Sequence, residues 1–176
     1  MSGDGLLKQA VKEALARAAP RPVHKLAATK RPFAFKVRTF DDKVEDEKVV
    51  RYSRKYCGAS ADFVIDVFRT TRRELAPLQG QQRETWLQAL VIGDVAVAGV
   101  PAEYFTSLGM EIKRRSPFKH TYVAELANDW IGYLPDREGH RLGGYQTWMG
   151  LHSYAEEGTG ERAADEVIAM LRKLAR

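Results

Sequence analysis

The chain has 176 residues, 44% of them hydrophobic, with seven Tyr, seven Phe and three Trp, which excludes wholesale disorder, collagen-like sequence and low complexity. Its 28 Lys and Arg stand against 23 Asp and Glu, a net charge of +5, and the basic spots are short and mixed with acids, so no nucleic-acid partner is expected. No run reaches the ~18 apolar residues of a membrane span, no signal-peptide core opens the chain, and the single Cys57 leaves no internal disulfide or multi-Cys zinc knuckle, so a cytoplasmic location is the default expectation.

Leu7, Ala10, Val11, Ala14, Leu15 and Ala18 recur at spacings of three and four and predict a helix over 6–19, stopped by Pro20. From Pro32 to Phe40 apolar and polar residues alternate, with Phe33, Phe35 and Val37 on one face, the pattern of a half-buried strand. The charged run 41–48 reads as a solvated loop, with a short surface helix as the alternative. Ala61, Val64, Ile65, Phe68, Leu75 and Ala76 predict a helix over 59–76, ended by Pro77.

Two strands follow, 85–92 and 95–100, with Gly93-Asp94 between them as a tight hairpin turn. The second is almost wholly apolar, which predicts a strand buried in a sheet. A helix is expected over 103–114, with Phe105, Leu108 and Ile112 on one face, and a strand over 121–127. Residues 128–158 show weak periodicity and carry Asn, Asp, Gly, His and several aromatics. A loop of that length in a compact domain is often functional. A final helix spans 161–175, with Ala163, Ala164, Val167, Ile168, Leu171 and Leu174 inward. The pattern predicts an α/β or α+β fold, a layered mixed sheet flanked by helices.

Candidate chemistry gathers in two places. Glu103 lies where a buried strand gives way to a helix, so its carboxylate either caps free backbone N–H groups or reaches into a ligand crevice. The long loop holds Asn128, Trp130, Tyr133, His140, Tyr145, Trp148 and His152. Taken singly, its tyrosines read as packing residues and its histidines as surface or packing groups. Cys57 reads as a free thiol rather than a nucleophile, because no His neighbours it in sequence.

The run from Leu90 to Lys113, with its strand, Gly-Asp turn, second strand, Pro101-Ala102-Glu103 and Gly-containing helix, resembles the neutral/alkaline non-lysosomal ceramidase family. So does the run Ala127 to Glu138, followed by Gly143-Gly144-Tyr145-Gln146. The resemblance covers about residues 83–175 and divides the chain into an unassigned 1–48 and a ceramidase-like catalytic-domain segment, 49–176. It implies zinc as cofactor, with Glu103 and Tyr133 as two of its ligands, and Tyr145 as donor to the oxygen of the scissile amide. Asn128 is implied as a brace of the loop behind the ligands. The implied reaction is hydrolysis of an N-acyl amide or similar lipid-like substrate by zinc-activated water.

The chain also departs from the family pattern. Ala102 replaces the usual Gly, Trp130 stands at the first Tyr of the Asn-x-Tyr-x-x-Tyr segment, and Gln146 stands where Glu often follows Tyr145. Neither the two zinc-ligand histidines of the family nor its serine-containing segment has a counterpart here. The expectation is therefore part of a larger catalytic domain, weak or inactive alone, with a complementary N-terminal catalytic half as a partner. The alternative is a non-catalytic structural or interaction domain that keeps the family core.

Overall fold

A computed structural model describes residues 3–176. Its main sheet has four strands in the order β1-β2-β3-β5, formed by Leu26–Lys36 (β1), Gln82–Ile92 (β2), Val95–Gly99 (β3) and His120–Ala124 (β5). β1 and β3 flank β2 antiparallel, and β5 joins β3 parallel. Between β3 and β5 the chain makes the short strand β4 (Glu103–Tyr104) and the helix α4 (Thr106–Arg115). β4 pairs in parallel with β6 (Tyr133–Leu134), a small second sheet. The fold is thus mixed α/β, as its sequence pattern predicts.

One face of the main sheet is sealed. Phe33, Phe35, Leu87, Ala89, Val91, Ala96 and Ala98 point from it into the core. There they meet Leu108 and Ile112 of α4, and Ala163, Ala164, Val167, Ile168 and Leu171 of the last helix, α6 (Thr159–Ala175). The period-2 pattern of the strands and the three-and-four spacing of α6 are the two halves of one apolar layer. The β2–β3 hairpin turns on Gly93-Asp94. Gly93 takes φ of 62°, the left-handed conformation that the first position of a II′ turn requires.

The opposite face is open. Across the register, Ala28 meets Leu90, Leu90 meets Val97 and Val97 meets Tyr122, so one apolar row crosses all four strands. A second row runs from Leu26 through Ile92 to Val95. Leu26, Ile92, Trp86 and Tyr122 are exposed on this side, and no described element covers them.

Boundaries shift where pairing rather than burial decides. β1 begins at Leu26 and ends at Lys36, not at 32 and 40, because its register with β2 runs from Leu26↔Ile92 to Lys36↔Gln82. Pairing draws in Leu26 to Arg31, which burial alone would not order. α1 (Gly3–Arg17) is helical as expected, but its apolar stripe packs on nothing, and Leu7 is 69% exposed.

The charged run 41–48 is not a loop. It opens α2 (Asp42–Tyr56), which packs on α3 (Ala61–Leu75) as a helical hairpin. Asp41 caps α2 by accepting from the Val44 N–H at 3.1 Å, with Asp42 and Glu45 in the first turn and Arg54 and Lys55 in the last. Both arrangements favour a helix. The acids also have a tertiary partner. Arg72 of α3 is fully buried and donates to Asp42 at 2.7 Å and to Asp46. Arg69 donates twice to Asp46, at 2.8 and 2.7 Å.

Those contacts hold the Asp46 carboxyl down to about 2, Arg69 contributing most and partial burial opposing. A depressed carboxyl stabilises the fold above its unfolded value near 4 and loses that contribution as pH falls towards its folded value. Asp46→Asn is therefore expected to cost about 2–3 kcal/mol at neutral pH, since it leaves Arg72 buried with only Asp42. Urea-unfolding midpoints of the two proteins should converge as pH falls from about 4 towards 2.

Candidate functional site

The site is built on β4 and β6. Their parallel pairing places Glu103 directly opposite Tyr133. The Glu103 N–H donates to Gly132 O at 3.1 Å, and the Phe105 N–H donates to Leu134 O at 3.2 Å. Glu103 is thus a strand residue three positions before α4, not a group in that helix's first turn. The small sheet rests on the start of α6, where the Tyr104 hydroxyl donates to Gly160 O at 2.6 Å. Gly160 is needed there, because a Cβ would lie 2.5 Å from Leu108 Cδ1.

The Tyr133 phenol is pushed up to about 12, and the Glu103 carboxylate opposite it is the largest cause. Partial burial adds to the effect, as do the charges of Glu103 and Tyr145. Tyr133 is therefore a neutral phenol beside a carboxylate. The two side chains line a cleft of about 480 Å³ together with Glu125 and Gln146.

Tyr145 sits in a 3-10 turn, Tyr145–Thr147, after α5 (Arg137–Leu142). Its ring lies edge-on to Tyr133, with centroids 5.9 Å apart. On its other side it stacks on His152 at 4.6 Å. His152, one of the loop candidates that taken singly reads as a surface or packing group, holds both tyrosines. Its carbonyl accepts from the Tyr133 N–H at 2.7 Å, and its Nε2 lies 2.9 Å from Tyr145 O. Nε2 must donate to that carbonyl, so Nδ1 carries the lone pair of a neutral ring. Burial is the largest cause lowering the His152 pKa. Phe68 of α3 closes the group, edge-on to Tyr145 and His152.

Asn128 occupies the turn ahead of β6 with φ of 71°. It lies against Gly99, where an added Cβ would sit 3.6 Å from Asn128 Nδ2. The hydrogen bonds of this turn come from its neighbour. Asp129 accepts from the Thr85 hydroxyl at 2.8 Å and from the Trp130 N–H at 2.7 Å.

Two residues of this set, Glu103 and Tyr133, have oxygen ligands suited to zinc and stand together. Among the described residues no group of three or more His, Cys, Asp or Glu side chains is gathered for a metal. Two such oxygens are fewer than the three or four protein ligands of a zinc site, and no step through a metal follows from them alone.

No protein-family model matches the chain, and no curated protein matches it. Solved structures do. A crystal structure of neutral ceramidase from Pseudomonas aeruginosa overlays with a TM-score of 0.53, covering 92% of this chain and 31% of that one at 14% identity. The chain shares the fold of that part of the enzyme. A second structure, a ceramidase complexed with C2, overlays with a TM-score of 0.46, covering 52% of this chain and 15% of that one at 19% identity. The chain therefore spans less than a third of the length of either structure.

Gly132 is the backbone hinge of the site. It has φ of 81°, and a Cβ would lie 2.3 Å from His152 O. Gly132→Ala is expected to cost more than ~2 kcal/mol and to separate Tyr133 from His152. Thermal unfolding should show the loss, and Gly143→Ala, with the same sign of φ but open space around it, should show a smaller one.

Proposed function

We propose that this chain carries one part of a zinc-dependent amide hydrolase site of the ceramidase type, acting on an N-acyl amide. The observation that supports it most is the register pair Glu103↔Tyr133 with the Tyr145 ring 5.9 Å away. Residues 30 and 42 positions apart from Glu103 arrive in one cluster, and they are the residues that the family resemblance singles out. In this reading Glu103 and Tyr133 hold the metal, which when bound supplies an activated water and polarises the amide carbonyl. Glu103 raises the Tyr133 pKa and so keeps the phenol protonated, and a cation in the cleft would work against that effect.

Tyr145 offers its O–H to the carbonyl oxygen as negative charge develops there. Its hydroxyl is held in place by ring stacking on His152, not by a hydrogen bond, which leaves the proton free for a substrate. The remaining ligands come from a complementary catalytic segment. The open apolar rows through Leu90 and Ile92 suit such a partner, because a sheet packs a second layer on an apolar face. The same exposed face favours the alternative of a non-catalytic interaction domain.

Zinc titration against a chromophoric chelator separates these readings. Under the hydrolase reading, the chain binds zinc, and Glu103→Ala and Tyr133→Phe each weaken binding by about tenfold or more. Slow hydrolysis of a fluorogenic N-acyl amide accompanies zinc, and Tyr145→Phe reduces it by ~10²-fold without changing zinc affinity. Zinc binding unaffected by either ligand substitution would leave the interaction-domain reading.

A further inference from the structure

We propose that the α2–α3 hairpin is a docking surface for an anionic lipid bilayer, and that it sets the mouth of the tyrosine cluster against that bilayer. This surface stands on geometry and charge alone, whether or not the cluster hydrolyses amides.

Two recesses line the hairpin, one along each helix. The first, of about 290 Å³, is walled by Lys48, Arg51 and Lys55 of α2, with Tyr52, Tyr56 and Trp148. The three cations recur at spacings of three and four, so they share one helical face. Among the described residues, Arg51 and Lys55 have no acidic partner, whereas Lys48 is held by Glu45 at 2.6 Å. Lys55 lies over the Tyr56 ring at 4.9 Å, an aromatic body beside a cation.

The second recess, of about 370 Å³, is apolar and belongs to α3 and the long loop. Phe63, Val67, Trp130 and Leu151 form its rim, with Tyr145 and His152 at its inner end. All four rim residues are exposed, Phe63 at 71%. Trp148 joins the recesses, with its ring 4.9 Å from Tyr52 and 6.0 Å from Tyr145.

Of the acids nearby, Glu47 stands one turn before Arg51 and makes no ion pair among the described residues. Asp62 is paired with Arg54. Asp66, one turn further, follows Asp62 by four residues and so lies on the flank of α3 rather than on the Phe63 and Val67 face.

The combination selects the partner. Exposed Phe, Trp and Tyr rings suit the boundary between headgroups and acyl chains, and unpaired Lys and Arg beside them attract anionic headgroups. An apolar protein partner would need the rim but not the cations, and a soluble anion would need the cations but not Phe63 or Leu151. The exposed apolar rim leads directly to Tyr145, so a docked bilayer would present acyl chains to the cluster without full extraction into water.

Co-sedimentation of the full chain with vesicles tests this. Phosphatidylcholine vesicles with about 30 mol% phosphatidylglycerol should carry the chain down, pure phosphatidylcholine vesicles should not, and added salt should release it. Arg51→Glu with Lys55→Glu should lower the bound fraction at least ~10-fold. Phe63→Ser with Val67→Ser should lower it several-fold, with the circular dichroism spectrum of each variant unchanged. Leu7→Ser with Leu15→Ser, on the unpacked stripe of α1, should leave it unchanged. The proposal is overturned if the chain stays in the supernatant with both vesicles. It is equally overturned if the hairpin variants bind like the parent, or if the α1 variant alone loses binding. A dimer that dissociates in the Phe63 variant, with no vesicle binding by the parent, would assign the face to a second copy and overturn it too.

Discussion

The guanidinium of Arg38 is the constraint on which the tyrosine cluster depends. It lies just past the end of β1 and donates to Thr147 O at 2.9 Å and to Ser153 O at 3.1 Å, with His140 Nδ1 at 3.2 Å. These partners are over 100 residues away in sequence and all belong to the long loop. Thr147 closes the turn that carries Tyr145, and Ser153 follows His152. One charged group therefore fixes the height of both rings above β6. Charge-assisted bonds to otherwise unmet carbonyls are worth more than neutral ones, which helps hold a loop with little regular secondary structure as one piece. Burial is the largest cause lowering the His140 pKa, and the charge of Arg38 is the next. The ring then stays neutral, and its Nδ1 can accept a hydrogen bond from Arg38.

The legible parts of the fold are those where burial is periodic. Phe33 and Phe35 alternate on β1, and Val167, Ile168 and Leu171 recur on α6, and both sets lie in the core as their spacing predicts. Gly93-Asp94 marks its hairpin because only a few residues take that turn. The start of α2 reads from sequence as a solvated loop, with a short surface helix only as the alternative. Its charges look solvated in sequence, but Asp42 and Asp46 are spoken for by Arg72, a residue 30 and 26 positions away. Pairwise tertiary electrostatics leaves no period in a sequence. The same holds for β4 and β6, two residues each, whose pairing is set by neighbours and not by propensity.

The site divides in the same way. Residue type and resemblance point to Glu103, Tyr133 and Tyr145, while only the register of β4 on β6 says that the first two are opposite each other. His152 has no spacing signal. Its role comes from a carbonyl and a ring face, and a backbone carbonyl is present at every residue. Asp129 shows the limit of reading a turn by type. It and Asn128 are adjacent polar residues, yet Asp129 takes the Thr85 and Trp130 hydrogen bonds, and Asn128 takes the positive φ.

The Glu103–Tyr133 pair and the open sheet face are structurally continuous. The outward row of β3 ends at Gly99, where Ala127 and Asn128 press close enough that an added Cβ would lie 3.2 Å from Ala127 Cβ. From there the chain passes Asp129, and the Ile131 N–H donates to Pro101 O at 2.8 Å before β6 begins. A layer laid on Leu90, Val97 and Tyr122 would therefore abut Asn128. Leu126 and Asn128 both hold positive φ, a conformation costly for residues other than glycine. Contact there would fall on a strained turn only five residues before Tyr133. In the proposed hydrolase, the polypeptide that supplies the missing ligands would thus also press on the segment that positions Tyr133, so covering the sheet and completing the site would be one event.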